Sequence, residues 1–373
     1  MDFYPILPII MKQTYRTRII DKIFLGMLAV LLLLPGLRIN HDEKSINENR
    51  MLATRPTLIT NENKINNKFG IEYDRWFSDR FFGRDVLIKF YGLHGGAEGN
   101  LDILVEKDNW LFLNTGGSMR NFANMDRFTE QDLASIATYI DDIDTWCKKH
   151  NKQFVFIIAP DKNKIYGEHI TKVIKKHPDS ESRSLQLVEY LQQHTNATVL
   201  YPRDTLIAHK GDGLLYWKND THWNDYGAYI GYTEIMNALK IKPIKVKSFV
   251  HETKPRSDLT NMATNIPEDT TSVYLVPEIP STEEIGGCNF ASRDDTHCEN
   301  KNYKVNKSVF VLRDSFSIKL GLYYVNTFRT VDSRWRYDIQ KSDMDYIKNA
   351  DIIILEVVER NINALPYQQF PKD

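Results

Sequence analysis

The most apolar part of the chain lies near its N-terminus. Residues 23–37 read IFLGMLAVLLLLPGL, fifteen residues without a charge, and the residues from position 19 extend this segment to nineteen. In a helix that rises about 1.5 Å per residue, this length comes close to a hydrocarbon core of roughly 30 Å. We therefore predict a transmembrane anchor over 19–37.

Charge on either side of this segment predicts its orientation. Four basic residues and one acid lie within 12–22, whereas mixed charge follows the segment. Because positive charge is retained in the cytoplasm, we predict that 1–18 form a cytoplasmic tail and that the bulk of the chain is extracytoplasmic. A cleaved signal peptide is the alternative, although Leu34-Pro35-Gly36 is a poor small-x-small cleavage site.

From about residue 129, helices with the 3.6-residue period alternate with short apolar strands. Thr129 is placed to cap the first of these helices, whose apolar residues run from Leu133 to Cys147. Wholly apolar runs such as FVFIIA are typical of strands buried on both faces of a parallel sheet. The pattern predicts an α/β sandwich with a mostly parallel sheet. Its strands are expected at 154–159, 198–201, 308–312 and 351–357, and its other helices at 185–191 and 226–239.

The regions outside this alternation are more polar. We predict a tether over 38–70 that leads into the main domain, 71–373, and a large insertion or lid over 240–307. This insertion contains Cys288 and Cys298. An extracytoplasmic location permits a disulfide between them, and the sequence leaves two free thiols equally open.

Composition narrows the function classes. The chain has 48 basic and 49 acidic residues and a formal net charge of −1, which does not suggest an electrostatic nucleic-acid binder. Three cysteines are too few for a disulfide-dense secreted scaffold, and Cys147 falls on a helical pattern as a buried small hydrophobe. The sequence has no CxxC and no spaced Cys/His cluster, so we predict neither a metal nor another cofactor.

Two short segments have the residue types that acyl transfer requires. Ser315, in the first, follows the predicted strand 308–312, and functional residues of open α/β sheets gather at the carboxyl ends of strands. A turn at this point can expose a hydroxyl and direct backbone N–H groups at an oxyanion. The structural alternative is that Asp314 and Ser315 only cap the next helix.

The second segment, 218–224, contains the matching base. A serine hydroxyl needs a base such as His222, and the histidine needs an acceptor such as Asp220 to fix its tautomer and stabilise its charged form. From positions two residues apart, both side chains can point the same way in an extended or turn conformation. One alternative is a solvated loop before a helix that starts at Asn224. Another is a metal site, for which the sequence shows no third ligand.

Together, these segments resemble the SGNH-hydrolase-like domain of the alginate O-acetyltransferase family, the extracytoplasmic proteins of polysaccharide acetylation. The most diagnostic part is DTHWN at 220–224, and 309–316 is similar to the serine block of the family. The resemblance implies a three-layer sandwich and a catalytic triad of Ser315, His222 and Asp220. Further similar blocks lie at 48–56, 74–85, 107–112, 160–166 and 355–361.

The resemblance also implies an activity and a location. A serine acyl-enzyme is expected to carry acetyl groups to hydroxyls of a cell-surface or exported polysaccharide, with a polytopic membrane O-acyltransferase as the donor partner. The protein is expected in the bacterial inner membrane, with its N-terminus inside and its catalytic domain periplasmic or extracellular. A carbohydrate esterase with the same triad is one alternative, and a catalytically silent polysaccharide-binding scaffold is another.

Some residues depart from ordinary SGNH enzymes. The Asp–His block precedes the serine, which is the order of this family, and arginine stands at position 313 where those enzymes have glycine. The glycine and asparagine of the usual oxyanion hole are not identified here. Glu356 and Arg360 are predicted to form a buried structural pair. The candidates for substrate contact are Arg313 beside the serine, Lys162 at a strand end, and Trp335 with Arg334, which can stack on a sugar and contact an acidic one.

Overall fold

The chain divides into two compact units, 1–101 and 102–373. In the first unit, β1 (Lys44–Ser45) pairs antiparallel with β2 (Arg50–Met51), and helix α1 covers Phe69–Arg80. The computed structural model describes residues 21–22, 24–26, 40–41, 44–45, 50–51, 53–59, 65–66, 69–80, 103–115, 117–170, 181–254, 256–262 and 271–371.

The predicted anchor over 19–37 lies almost wholly outside the described residues, which include only 21–22 and 24–26 of it. The predicted tail, 1–18, lies outside them entirely. Among the helices that the structure does describe, none has the length and apolar character needed to cross a membrane.

The second unit alternates strands and helices along the chain. Its strands are β3 (Ile103–Val105), β4 (Leu111–Leu113), β5 (Gln153–Ala159), β6 (Val199–Leu200), β7 (Phe249–Lys254), β8 (Ser272–Pro277), β9 (Thr296–Glu299), β10 (Val305–Leu312), β11 (Phe328–Arg334) and β12 (Ile352–Val358). Its helices are α2 (Ser118–Phe122), α3 (Glu130–Lys149), α4 (Lys162–Ile165), α5 (Arg183–His194), α6 (Arg203–Ala208), α7 (Asp225–Ala238), α8 (Asp258–Met262), α9 (Thr282–Gly286), α10 (Ser317–Thr327) and α11 (Met344–Asn349). Short 3-10 helices cover Lys107–Asn109, Gly167–His169, Lys341–Asp343 and Glu359–Tyr367.

Six strands of the described chain form the central sheet, in the order β6-β5-β12-β10-β11-β9. Neighbouring strands are parallel except for β11 and β9, which pair antiparallel at one edge. The sheet is therefore mixed but mostly parallel, as the apolar runs predicted. Parallel strands of this kind end at the same edge of the sheet, which brings the residues after β5, β10 and β12 close together.

Helices cover both faces of this sheet. Along β5, Val155 and Ile157 belong to a core that includes residues of α7 and α10, whereas Phe156 and Ile158 belong to a second core with residues of α3 and α5. All four strand side chains are buried. Burial on both faces accounts for the uninterrupted apolar sequence of this strand. The second unit is thus a three-layer α/β/α sandwich.

Side-chain caps begin two of these helices, and the sequence predicted the first of them, at Thr129. Thr129 Oγ1 accepts the Asp132 N–H at 3.1 Å, and the Asp132 carboxylate accepts the Thr129 N–H at 3.2 Å, which forms a capping box at the start of α3. Asn224 Oδ1 accepts the Gly227 N–H at 3.0 Å and begins α7. The second cap is the last residue of the segment 218–224, which carries the predicted base.

The stretch 240–307, which we predicted to be an insertion or lid, contains strands that belong to different sheets. Strands β7 and β8 form an antiparallel hairpin, and β9 pairs with the edge of the central sheet. A disulfide joins Cys288, which follows α9, to Cys298 in β9. Cys147 is a buried free thiol, in agreement with its predicted place on α3.

Candidate active site

Three predicted side chains lie in hydrogen-bonding order at the carboxyl edge of the sheet. His222 Nε2 lies 2.7 Å from Ser315 Oγ, and His222 Nδ1 lies 2.6 Å from Asp220 Oδ1. A hydroxyl, an imidazole and a carboxylate in this order can act as nucleophile, base and orienting group.

Ser315 lies on the turn between β10 and α10, and two buried carboxyl groups hold this turn. Asp314 Oδ1 accepts the Phe316 N–H at 2.9 Å. Glu356 Oε2, on the neighbouring strand β12, accepts the Asp314 N–H at 3.2 Å and the Ser317 hydroxyl at 2.9 Å. Because both carboxyl groups are buried, water does not compete for these bonds, and the backbone around the serine is fixed.

The loop that carries the carboxylate and the base rests on a buried lysine. Lys162 Nζ, just beyond β5, donates to the carbonyl oxygens of Trp217, Lys218 and Asp220 at 3.1, 3.0 and 2.6 Å. An ammonium has three N–H donors, so these carbonyls use all of them. Burial lowers the pKa of Lys162 to about 7, although the nearby charges of Asp258 and Asp220 favour its protonated form.

Trp223 joins this loop to the serine turn. Its indole is fully buried, its Nε1–H donates to the Phe316 carbonyl oxygen at 2.9 Å, and the two ring centroids are 5.3 Å apart. Trp223 follows His222 and Phe316 follows Ser315. One hydrogen bond therefore links the residues adjacent to the base and to the nucleophile.

Three oxygen atoms surround His222 Nδ1. Asp220 Oδ1 is 2.6 Å away, Thr221 Oγ1 is 3.1 Å away and Asp258 Oδ2 is 3.5 Å away. Thr221 donates its hydroxyl proton to Asp258 Oδ2 at 2.6 Å, so its oxygen faces the imidazole as an acceptor. This set of acceptors assigns the imidazole proton to Nδ1 and leaves Nε2 free to accept the proton of Ser315.

The second oxygen of Asp220 is held by residues that the sequence did not indicate. Lys254 Nζ lies 2.9 Å from Asp220 Oδ2, and the Ser257 hydroxyl donates to the same oxygen. Asp258 Oδ1 accepts the Thr221 N–H at 3.0 Å. These contacts come from the predicted insertion, 34 to 37 residues along the chain from their partners, and no local spacing signals them.

These contacts set the charges of the base and its carboxylate. Burial opposes ionisation of Asp220, but His222, Lys254 and Ser257 hold the pKa of Asp220 well below its usual range. Burial also opposes a charged imidazole, but the hydrogen bonds and charges of Asp220 and Asp258 raise the pKa of His222 to about 9. Asp220 is therefore an anion at neutral pH and stabilises the imidazolium that forms when His222 takes a proton.

Asp258 also supplies the third ligand group that the sequence lacked for a metal. The ligand atoms of Asp220, His222 and Asp258 lie within 4.8 Å of one another. However, the Nδ1 atom of His222 carries the proton that Asp220 accepts, and the ammonium of Lys254 contacts the other oxygen of Asp220. Because a second cation would meet this ammonium, we assign the cluster to the support of the imidazole.

Arg313 and Trp335, two candidates for substrate contact, pack against each other. Arg313 is fully buried, and its guanidinium donates to Ser333 Oγ at 3.0 Å and to the Ser292 carbonyl oxygen at 2.8 Å. The same guanidinium lies 4.8 Å from the ring centroid of the half-buried Trp335. Substrate contact by either residue stays a prediction.

The other two candidates, Arg334 and Lys162, are also buried. Arg334 Nε lies 3.2 Å from Asp343 Oδ1, and Lys162 supports the triad loop as described above. Their binding of substrate stays a prediction as well.

Glu356 and Arg360 do not form the pair that we predicted. Glu356 lies within β12 and binds the serine turn, whereas Arg360 lies beyond the end of that strand, where its Nη1 is 2.6 Å from Asp161 Oδ1. The Arg360 guanidinium also lies 5.2 Å from the Phe316 ring centroid. Arg360, Asp161 and Thr221 line one small pocket beside the triad loop.

More than half of the chain matches one protein family. The family described as "SGNH hydrolase-like domain, acetyltransferase AlgX" matches residues 103–304, which are 202 of the 373 residues. The chain belongs to this family. The span matched to the AlgX family includes Asp220 and His222, and Ser315 lies eleven residues beyond its end.

This AlgX-family chain is also similar to individual proteins. A "Probable alginate O-acetylase AlgJ" of Pseudomonas syringae pv. tomato is 28% identical over 193 residues, which are 48% of this chain and 45% of that protein. The protein of the same name from Pseudomonas putida is 25% identical over 189 residues, 48% of this chain and 46% of that one. The chain thus spans about half the length of the curated relatives it matches. Among solved structures, Bacillus cereus PatB1 covers 70% of this chain and 96% of its own, at 17% identity and a TM-score of 0.48.

Proposed function

We propose that this protein is a membrane-anchored, extracytoplasmic O-acyltransferase that moves acetyl groups to hydroxyls of a cell-surface or exported polysaccharide. The hydrogen-bonded line from Asp220 through His222 to Ser315, with 2.6 and 2.7 Å between successive polar atoms, carries this proposal. Membership of the AlgX family supports acetyl as the transferred group. The names of the relatives support alginate or a similar polysaccharide as the acceptor.

The first half-reaction loads the serine. Ser315 Oγ attacks the carbonyl carbon of the acyl donor, and its proton passes to His222 Nε2. Asp220 stabilises the imidazolium through the hydrogen bond to Nδ1. The tetrahedral intermediate then collapses, the bond to the leaving group breaks, and that group takes the proton from Nε2. The product is an acetyl ester on Ser315.

The second half-reaction transfers the acetyl group to the sugar. A hydroxyl of the acceptor gives its proton to His222 Nε2 and attacks the ester carbon. Collapse of this second intermediate breaks the bond to Ser315 Oγ, which recovers the proton from the imidazole. Water in place of the sugar gives hydrolysis by the same steps, so exclusion of water separates a transferase from an esterase.

The backbone amide of Ser315 is our candidate donor to the oxyanion. The Asp314 N–H donates to Glu356 and the Phe316 N–H donates to Asp314, whereas the Ser315 N–H has no acceptor among the residues that the structure describes. The backbone N–H of the nucleophilic serine is itself an oxyanion donor in serine-protease sites.

The proposed acetyl donor explains why this protein would be held at a membrane. A polytopic membrane O-acyltransferase is the proposed source of acetyl groups, and an anchor over 19–37 would hold the domain close to it and raise the effective concentration of the donor. The disulfide between Cys288 and Cys298 supports an oxidising, extracytoplasmic location.

An assay of p-nitrophenol release from p-nitrophenyl acetate by the full-length chain tests this proposal. A transferase releases more p-nitrophenol when alginate oligosaccharides are added, and the oligosaccharides gain acetyl groups that mass spectrometry detects. Release that does not depend on the sugar, with no acetylated product, would identify an esterase.

The variant Ser315→Ala separates an enzyme from a silent scaffold. We expect it to unfold at the same temperature as the unmodified protein, to release no p-nitrophenol and to form no acetyl adduct. Undiminished turnover in this variant would refute the role of Ser315. Oligosaccharide binding by the unmodified chain without any turnover would favour the scaffold.

A further inference from the structure

The segment after β7 brings a second carboxylate to the base. Asp258 Oδ2 lies 3.5 Å from His222 Nδ1 and accepts the Thr221 hydroxyl at 2.6 Å, while Asp258 Oδ1 accepts the Thr221 N–H at 3.0 Å. One side chain therefore holds both the amide and the hydroxyl of Thr221. Because Thr221 adjoins His222, these bonds fix the backbone from which the imidazole projects.

We propose that Asp258 is a positioning residue for the general base, which holds His222 through Thr221 and places a second negative charge beside Nδ1. This role rests on the acyl transfer proposed above, in which His222 exchanges a proton with Ser315. In an ordinary Ser-His-Asp triad, one carboxylate orients the imidazole. Here two carboxylates approach the same imidazole nitrogen from different segments of the chain.

Opposite charges act on the imidazole through these contacts. Asp220 and Asp258 are negative and lie directly beside Nδ1 of His222. Lys254 is positive and acts through Asp220, because its Nζ lies 2.9 Å from Asp220 Oδ2. The carboxylates stabilise the imidazolium, whereas the ammonium weakens Asp220 as a partner for it.

Two other cations contact Asp220 or Phe316, which both touch the imidazole of His222. Lys162 Nζ, beyond β5, donates to the Asp220 carbonyl oxygen at 2.6 Å. Arg360, beyond β12, pairs with Asp161 and lies 5.2 Å from the Phe316 ring centroid. Neither cation is changed in the variants below, so both contribute equally to each comparison.

The sign of the expected effect follows from these charges. Burial opposes the charged imidazole, but Asp220 and Asp258 raise the pKa of His222 to about 9. His222 accepts a proton only when it is neutral, so turnover rises with pH through this pKa. Asp258→Asn keeps the size of the side chain but removes its charge, and we expect the rise to occur about 1 pH unit lower. Lys254→Met removes a positive charge, and we expect the rise to move to higher pH.

The hydroxyl of Thr221 has its own matched pair of variants. Thr221→Val keeps the shape of the side chain and removes the bond to Asp258, and we expect turnover to fall by about threefold to tenfold. Thr221→Ser retains a hydroxyl at this position, and we expect it to restore most of the loss. A purely steric role of the side chain would instead favour valine over serine.

Two measurements on the full-length chain test the role of Asp258. One is the pH dependence of p-nitrophenyl acetate turnover in the unmodified chain, Asp258→Asn and Lys254→Met, with Asp204→Asn as control. Asp204 pairs with Arg203 at the surface, and its side chain is 83% exposed. The other is an NMR titration of the His222 ring proton, assigned by its loss in His222→Gln, which reports the pKa without turnover.

We expect opposite shifts in Asp258→Asn and Lys254→Met in both measurements, and none in Asp204→Asn. Unchanged pH profiles and an unchanged His222 titration in folded Asp258→Asn would overturn the role of Asp258. Full turnover in Ser315→Ala would instead overturn the proposed acyl transfer. The titration distinguishes the two failures, because it measures the influence of Asp258 on His222 whether or not the chain turns over ester.

Discussion

Arg360 Nη1 lies 2.6 Å from Asp161 Oδ1, and this ion pair joins the carboxyl ends of two neighbouring parallel strands, β12 and β5. Both side chains are almost completely covered by protein, at 12% and 5% exposure. A buried pair of this kind is costly to break from one side, because the remaining charge has neither water nor a partner. Beside the triad loop, the pair also lines the small pocket that includes Thr221.

Removal of Arg360 is expected to destabilise the fold in a pH-dependent way. Arg360→Met should lower the free energy of unfolding by about 3–5 kcal/mol at pH 8, where it leaves an unpaired carboxylate on Asp161. Burial raises the pKa of Asp161 to about 6, although Arg360 opposes this shift. The folded state then binds more protons than the unfolded state between about pH 4 and pH 6, so this group favours folding at low pH and loses that contribution as pH rises.

Without Arg360, the pKa of Asp161 rises further, and the deficit of the variant should shrink between pH 8 and pH 5. Urea unfolding of the unmodified chain and Arg360→Met at both values measures this change. Arg203→Met, which removes the half-buried partner of the exposed Asp204, is the control with little expected effect. A deficit that grows as the pH falls would contradict the assignment.

Removal of the Lys162 ammonium is expected to lower turnover strongly, although Lys162 donates only to backbone carbonyl oxygens of the triad loop. Lys162→Met keeps much of the buried stem but removes the donor of the Trp217 and Asp220 carbonyl oxygens, whereas the Lys218 carbonyl oxygen keeps the Leu111 N–H. Because a misplaced catalytic group costs rate steeply, we expect p-nitrophenyl acetate turnover to fall by about a hundredfold. Lys148→Met, at the exposed end of an i,i+4 pair with Asp144, should keep full turnover. Equal turnover in both variants would show that the loop holds its geometry without Lys162.

Much of the fold follows from short apolar runs in the sequence. The strand predicted at 154–159 is observed as Gln153–Ala159, and that predicted at 351–357 as Ile352–Val358. Strand β11 escaped prediction because its sequence, FRTVDSR, mixes polar and apolar residues. Its Ser333 is nevertheless buried, since Arg313 of the adjacent strand end donates to its hydroxyl. Polar residues that pair across strands have no periodic signal along the chain.

The candidate site also contains residues that the sequence predicted and residues that it did not. Asp220 and His222 could be predicted because they stand two residues apart, and Ser315 because it follows an apolar strand. Lys254 and Asp258 were hidden in a polar stretch, and only the folded chain brings them to the imidazole. A sequence shows which residue types a loop contains, but the partner of a carboxylate 34 residues away depends on how the hairpin between β7 and β8 packs.

The disulfide between Cys288 and Cys298 predicts a stability difference that reductant controls. It closes a loop with a sequence separation of 10, for which the chain-entropy account gives about 2–3 kcal/mol. We expect the free energy of unfolding of the double variant Cys288→Ser, Cys298→Ser to be lower by this amount. The variant should therefore unfold at a lower urea concentration. Reductant should lower the free energy of unfolding of the unmodified chain to nearly that of the variant, and it should leave the value for the variant unchanged. A reductant effect of the same size in both proteins would instead implicate Cys147.

Trp223→Phe should affect turnover more than stability, because it severs the bond between the two halves of the site. The indole Nε1–H donates to the Phe316 carbonyl oxygen, and these two residues adjoin His222 and Ser315. Phenylalanine retains an aromatic ring for packing but leaves that buried carbonyl unpaired, a cost of about 1–3 kcal/mol in unfolding free energy. The serine turn and the base loop then lose a shared constraint on the 2.7 Å separation between Oγ and Nε2, and we expect turnover to fall by about tenfold or more. Trp146→Phe is the matched control, since Trp146 packs in the core on the opposite face of the sheet. Equal losses of turnover in the two variants would show that general loosening of the fold, and not the bond to Phe316, explains the effect.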